Sequence, residues 1–389
     1  MDRIIIVILL GFLVVSFLNG CGEGQDTNNN KKEPELTQEQ LDSIALEKEF
    51  ANCDTFPVIN YKTFKIRDLA QLREIQNEYR YSEENKWKNK ALITLNRKEL
   101  GFFRVGRNVV IPDTIIDDMR AYSVFPQCYK GAVNLPKLIM VSNAYQCYAC
   151  YEYGHLVRFA AANTGKERTP TFPGRYSLVW KALERRSSLD SNWVMPYTWN
   201  FHEYAGNAFH KFVMPGYAVS HSCVRQFMSD AKWLYDWGDA AKRNNGKWVP
   251  NSGTPVIILG TFDFERKEGA VWHDLKSNKD GIIELPLDPM AVEEALIPWV
   301  QIPDGSKASI PNKSRFIYAE DTLRARGIIR KGVSLIKTVD FNKIRRDKAT
   351  REYKKKQEEE MKRIEELKLP ESQESSTGES KSVLPKLSP

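Results

Sequence analysis

A chain of 389 residues and 44.8 kDa is long enough for two or three domains with substantial cores. Its 42% hydrophobic and 28% charged residues are ordinary for a globular protein. The net charge of +7 is spread along the chain and not clustered with aromatics, which excludes a nucleic-acid surface and leaves a mild preference for anionic partners.

The N-terminus opens with Asp2 and Arg3 and then runs apolar from Ile4 to Leu18. A stretch of that length is short for a bilayer span, which takes about 20 residues, and fits the apolar region of a signal peptide over 1–20. It ends in Leu18-Asn19-Gly20-Cys21, which resembles a bacterial lipoprotein box. That resemblance implies cleavage before Cys21 and acylation of it, the alternative being an uncleaved anchor helix. Several acyl chains, at about 0.8 kcal/mol per buried methylene, would hold the protein on a membrane. Residues 21–40, polar, Gly- and Asn-rich and without periodicity, read as a flexible tether.

Leu41, Ile44 and Ala45 fall at helical spacing, so a short helix is expected after the tether. Residues 41–133 read as an accessory region of short helices and strands. Within it, Ala91 to Asp113 ends in a Gly-containing turn and an apolar strand, and faintly resembles the second half of a lysin motif, a peptidoglycan-binding module.

From Pro136 the pattern is β. "KLIMVSNAYQCYACYEYGHLVRFAAANTG" gives two strand-like runs around a Tyr153-Gly154 turn. "TPTFPGRYSLVWK" adds another strand, "SDAKWLYDWG" has helical spacing, and "TPVIILG" is a short apolar strand. Residues 134–261 are therefore expected to form one mainly β domain. Residues 262–345 suggest a helix and a strand in a C-terminal extension. Residues 346–389 read as a solvated charged helix, supported by pairs such as Lys355–Glu359, followed by a disordered tail.

The six cysteines are Cys21, Cys53, Cys128, Cys147, Cys150 and Cys223. An exported chain permits disulfides among Cys53, Cys128, Cys147 and Cys150, with free buried thiols as the alternative. Cys147 and Cys150 sit on a tyrosine-rich strand and are three apart, so their side chains should point to opposite faces and not bond each other. No Cys/His spacing suits a metal, and no cofactor is expected.

Cys223 stands apart. His210 precedes it, and Pro215-Gly216 between them can fold the chain back on itself. A thiol beside an imidazole is the pair nucleophilic acyl transfer needs, because the imidazole takes the thiol proton or pairs with the thiolate. "AFHKFVMPGYAVSHSCVR" further resembles the signature of the bacterial L,D-transpeptidase catalytic domain, and "NTGKERTPTFPGRY" and "WVMPYTWNF" match other stretches of that family. The resemblance runs from Pro136 to Gly260.

It implies an α+β protein whose catalytic domain is a compact β-sandwich of mixed sheets, with helical N- and C-terminal extensions. It also implies peptidoglycan stem peptides as substrate and 3→3 cross-linking as outcome, or carboxypeptidase activity if water is the acceptor. Cys223 would be the nucleophile and His210 the base and acid. His221 would shape the loop and position substrate. The backbone at Ser222 would form an oxyanion hole, and Arg225 would hold the loop or a substrate carboxylate. Tyr217 and Met195 would line the substrate cleft, while His155, His202 and His273 would be structural or surface residues. Ser222 occupies the position where the family usually has Gly, so either that residue is strained or only its N–H matters. If strain has spoiled the hole, the protein would be a non-catalytic peptidoglycan-binding lipoprotein. The expected location is the periplasm, on a lipid anchor in a bacterial membrane, the outer membrane first.

Overall fold

The computed structural model describes residues 37–368 except 188, 189, 267, 268, 338 and 340. The signal peptide, Cys21, most of the tether and the C-terminal tail lie outside the described residues. Among those described, no helix is long and apolar enough to cross a membrane. The chain divides into two compact units, one ending at Glu49 and one beginning at Phe50. Helix α1, Gln38–Ala51, is the expected first helix.

The second unit is built on a five-stranded sheet. Strands β3 (Leu138–Ser142), β4 (Cys147–Glu152), β5 (His155–Ala161), β6 (Gly174–Ser177) and β13 (Pro255–Leu259) lie in the order β5-β4-β3-β13-β6. β13 runs parallel to β3, and the remaining pairings are antiparallel. Tyr153 and Gly154 both take positive φ, +46° and +81°, the twist a two-residue hairpin needs between β4 and β5. Both faces of this sheet are covered, which explains why "KLIMVS" and "PVIIL" read as apolar throughout. Ile139, Val141, Tyr148, Cys150, Val256 and Ile258 face one core, while Met140, Cys147, Ala149, Tyr151 and Ile257 face another. Cys147 and Cys150 therefore point to opposite faces and are free thiols, and the disulfide joins Cys53 to Cys128.

The first core is closed by a four-stranded sheet, order β10-β9-β8-β7, from β7 (Trp180–Arg186), β8 (Val194–His202), β9 (Asn207–Lys211) and β10 (Val224–Gln226). Trp199, Phe201, Phe209 and Val224 fill that core from this sheet. Helix α4, Met228–Trp237, follows β10. A small hairpin pairs β11 (Arg243–Asn244) with β12 (Lys247–Trp248). The fold is the expected α+β sandwich.

The second core is covered by the N-terminal region. β1 (Tyr61–Lys65), α2 (Leu69–Glu78), α3 (Lys86–Asn96) and β2 (Asn108–Pro112) form a β-α-α-β unit in which β1 and β2 pair antiparallel. Ile66, Leu72, Ile75, Leu92, Phe103 and Val109 give it a small core of its own. The segment 91–113 is the second half of this closed unit. Sequence reading treats 41–133 and 262–345 as separable from the catalytic domain, and here the structure differs. Tyr122, Phe125 and Trp272 share the second core, and Ile297, Ile302, Phe316 and Leu323 share the first. Helices α5 (Lys313–Ile317) and α6 (Ala319–Ala325) belong to this covering layer. α7 (Phe341–Lys368) starts five positions before the expected Arg346 and carries the Lys355–Glu359 pair at 3.6 Å.

Candidate active site

β9 and β10 run parallel, with Val224 opposite Phe209 and Arg225 opposite His210. Alternation along the strands buries Phe209 and Val224 completely. It sends Ala208, His210, Cys223 and Arg225 to the other face, where all four line one cleft of about 270 Å³. The pairing thus makes neighbours of residues that a turn and a loop separate in sequence. Met195 lines the same cleft from β8, and Pro303 and Ser306 line it from the C-terminal region.

His210 is 4% exposed. Its Nδ1 lies 3.0 Å from the Lys211 carbonyl, which can only accept, so Nδ1 carries the proton and Nε2 is left with a lone pair. Burial, with the charge of Arg225 added, holds its pKa down to about 4 against the pull of the Lys211 carbonyl. Burial pushes the Cys223 thiol up, and the Ala208 N–H and Arg225 offset this only in part. The resting pair is therefore a thiol and a neutral imidazole, with the base in its proton-accepting form.

The loop before Cys223 is held by its carbonyls. The Ser220 carbonyl accepts from Lys166 N and Thr169 Oγ1, both at 3.0 Å. The Ser222 carbonyl accepts from Thr171 Oγ1 at 3.0 Å and Asn207 Nδ2 at 3.1 Å. Ser220 Oγ donates to the Cys223 carbonyl. Among the described residues, the N–H groups of Ser222 and Cys223 make no backbone hydrogen bond. Free donors fixed beside a nucleophile are what an oxyanion hole requires. Ser222 has φ +74°, so the position does take the left-handed conformation that glycine adopts without cost.

His221 lies exposed at the rim. Its Nε2 is 3.3 Å from Lys166 Nζ, and its ring centroid is 5.1 Å from that of Trp193. Partial burial, Lys166 and then Arg225 pull its pKa to about 4. It is neutral at neutral pH and fixed by the Lys166 ammonium. Arg225 Nη1 donates to the Val213 carbonyl at 3.2 Å, its guanidinium lies over Phe212, and its side chain lines the cleft.

Tyr217 is the exception among the expected cleft residues. Gly216, at φ +95°, donates to Asn163 Oδ1 while Pro215 pairs with Lys98. This turn places Tyr217 in a second cavity instead of the cleft with Cys223. His202 is half-buried, accepts the Ala205 N–H at Nδ1, and lies against Tyr176 and Phe316. His155 faces Phe50, and His273 lines the second cavity. Sequence reading did not single out Lys166, Thr169, Thr171, Asn207 or Trp193. The first three lie in "NTGKERTPT", where the resemblance was visible but the contact across to Ser220–Ser222 was not. Trp193 opens the matched stretch "WVMPYTWNF", but its approach to His221 was not visible there, and Asn207 carries no local signal.

Residues 136–258 match the family model described as YkuD, the L,D-transpeptidase catalytic domain. Among solved structures, an L,D-transpeptidase from Stackebrandtia nassauensis is 22% identical, with a TM-score of 0.29. The match covers 36% of this chain and 62% of that one. One from Mycobacterium smegmatis is 18% identical with a TM-score of 0.27, covering 32% of this chain and 59% of that one. An L,D-transpeptidase fragment from Xylanimonas cellulosilytica is 20% identical with a TM-score of 0.30, covering 51% of this chain and 98% of the fragment. The chain thus spans under two thirds of the first two structures it matches. No curated protein matches it.

Proposed function

We propose that this protein is an L,D-transpeptidase that acts on peptidoglycan tetrapeptide stems through a thioester on Cys223. The observation that carries this reading is the face shared by Cys223 and His210 across the β9–β10 pair, with His210 neutral and its Nε2 free of the Lys211 carbonyl. Cys223 Sγ attacks the carbonyl of the third stem residue while His210 Nε2 takes the thiol proton. The oxyanion is held by the N–H groups of Ser222 and Cys223, a contribution often worth about 3–4 kcal/mol. The C–N bond to the terminal D-alanine breaks, and His210 returns the proton to the leaving amine. An amine of a second stem then attacks the thioester, passes its proton to His210, and frees the thiol with a 3→3 cross-link formed. Water in place of the amine gives carboxypeptidase activity. His221 and Arg225 position substrate at the rim, and Met195 shapes the wall.

The rival reading is a non-catalytic peptidoglycan-binding lipoprotein, and the positive φ of Ser222 is the observation in its favour. We place the protein in the periplasm, tethered to a membrane by lipid on Cys21, with the outer membrane the favoured one. The test is mass spectrometry of purified tetrapeptide muropeptides after incubation with the protein. Wild type should release D-alanine and form 3→3 dimers, while Cys223→Ala and His210→Ala should lose both nearly completely, since the two act as a unit. Near-wild-type turnover in either variant would sink the assignment.

A further inference from the structure

Behind the Pro215–Tyr217 turn lies a cavity of about 650 Å³ that the acyl-transfer chemistry does not use. Lys65, Lys98, Arg104, Arg107 and Arg266 converge on it together with His273, and none of its described lining residues is a carboxylate. Arg266 is paired with Asp274. Lys98 is only 9% exposed and has no carboxylate partner among the described residues; its ammonium lies 4.9 Å from the centre of the Phe103 ring. His273 Nε2 is likewise buried without a hydrogen-bond partner there. A buried cation without a counter-charge is costly, and an anion entering the cavity would remove that cost. Burial, with Arg107 beside it, lowers the Lys98 pKa to about 8, so the ammonium is still charged at neutral pH.

The cavity is joined to the catalytic loop. Pro215, Gly216 and Tyr217 form part of its wall, a few residues before Ser220–Cys223. Cations spread over β1, the 98–107 segment and Arg266 suit several carboxylates along an extended chain better than one compact ion. The rings of Phe102, Phe262 and Tyr217 add apolar surface for the body of such a chain.

We propose that this cavity is an exosite that binds carboxylate groups of a peptidoglycan strand beyond the stem that is acylated. The proposal rests on the transpeptidase reading for the identity of the strand, but the anion site itself does not. Its test uses the full chain carrying Cys223→Ser, pelleted with purified sacculi, alone and with Lys98→Gln or with Arg104→Gln and Arg107→Gln together. The exposed arginine pair serves if Lys98→Gln fails to fold. Each change is expected to weaken sacculus binding about tenfold, and citrate, as a soluble tricarboxylate, should bind the parent saturably and the variants poorly. Carbapenem acylation of Cys223, measured for the same changes without Cys223→Ser, reports the cleft separately.

Undiminished pelleting of both variants overturns the proposal. So does a parallel loss of acylation and binding in the arginine pair, which would mean a damaged catalytic loop. Dependence on these residues for binding phosphatidylglycerol vesicles, with none for sacculi, overturns it in favour of a membrane contact. Lys98-dependent sacculus binding without any D-alanine release would support the exosite and sink the catalytic reading instead.

Discussion

Ser222 stands where the resembled family usually has Gly, and the structure holds it in the left-handed region that glycine adopts without cost. Its φ of +74° costs a side chain of order 1–3 kcal/mol, yet its carbonyl is held by Thr171 and Asn207 in the pose that frees the neighbouring N–H groups. The hydroxyl is not needed for that pose. Ser222→Gly should therefore raise stability by about 1 kcal/mol, the strain relieved exceeding the extra chain entropy of glycine. Ser222→Ala should acylate Cys223 within about tenfold of wild type, or about 1.4 kcal/mol. Stopped-flow acylation and denaturant titration of both variants check this. A hundredfold loss in Ser222→Ala would make the hydroxyl an oxyanion donor.

The His210–Cys223 pair gives a second prediction at the same scale. A base with pKa of about 4 is already deprotonated at neutral pH, and the thiol beside it is still protonated. Raising pH through the His210 pKa creates the base, and lowering it removes the base. The acylation rate should thus be nearly flat between about pH 5.5 and 7.5 and fall as pH drops through about 4. A rate that climbs tenfold per unit across neutral pH would mean that free thiolate, not the neutral pair, is the reacting form.

At the scale of elements, one buried carboxylate ties helix α4 to helix α3 and to strand β5. Asp230, in the first turn of α4, is fully buried and takes Lys90 Nζ from α3 and Arg158 Nη2 from β5, each at 2.5 Å. Burial would raise its carboxyl, but these two cations hold it below the usual carboxylate range. Asp230→Ala leaves both cations facing each other with no counter-charge and should cost about 3–5 kcal/mol, read as a lower denaturant midpoint. Replacing Lys90, Arg158 and Asp230 together by apolar residues should cost less than the single change. No sequence pattern announces this triad, because its members lie on three elements far apart in the chain. The strands themselves were legible: period-two alternation, the Tyr153-Gly154 turn and the apolar runs at β3 and β13 each follow from local chemistry. So did the opposed thiols of Cys147 and Cys150. The Cys53–Cys128 pairing was not legible, since spacing alone leaves the pairings open. Tyr217 was misplaced because the direction of a side chain after a positive-φ glycine depends on the turn and not on the motif.

For the whole molecule, what escaped sequence reading is that the catalytic domain does not end where its motifs end. The family match stops at 258, but the core it encloses is completed by Leu296, Ile297, Ile302, Ile310, Phe316, Leu323 and Ile329. These residues lie in short turns and helices with little periodicity, so nothing in the sequence ties them to the sheet. Pro303 and Ser306 from the same region also wall the cleft beside Cys223. Each large apolar side chain buried there contributes about 1.5–3 kcal/mol, so losing all seven removes roughly 10 kcal/mol or more, comparable to the whole stability of a domain. A chain ending at 261 should therefore be expressed insoluble or unfolded. One ending at Arg346 keeps these side chains, as well as the Arg345–Asp190 pair at 2.7 Å, and loses only the charged helical arm. That shorter protein should melt within a few degrees of the full chain and acylate Cys223 at the same rate, measured by thermal unfolding and intact mass after carbapenem treatment. A folded, acylating chain ending at 261 would show that residues 262–345 are an appendage and not part of the catalytic core.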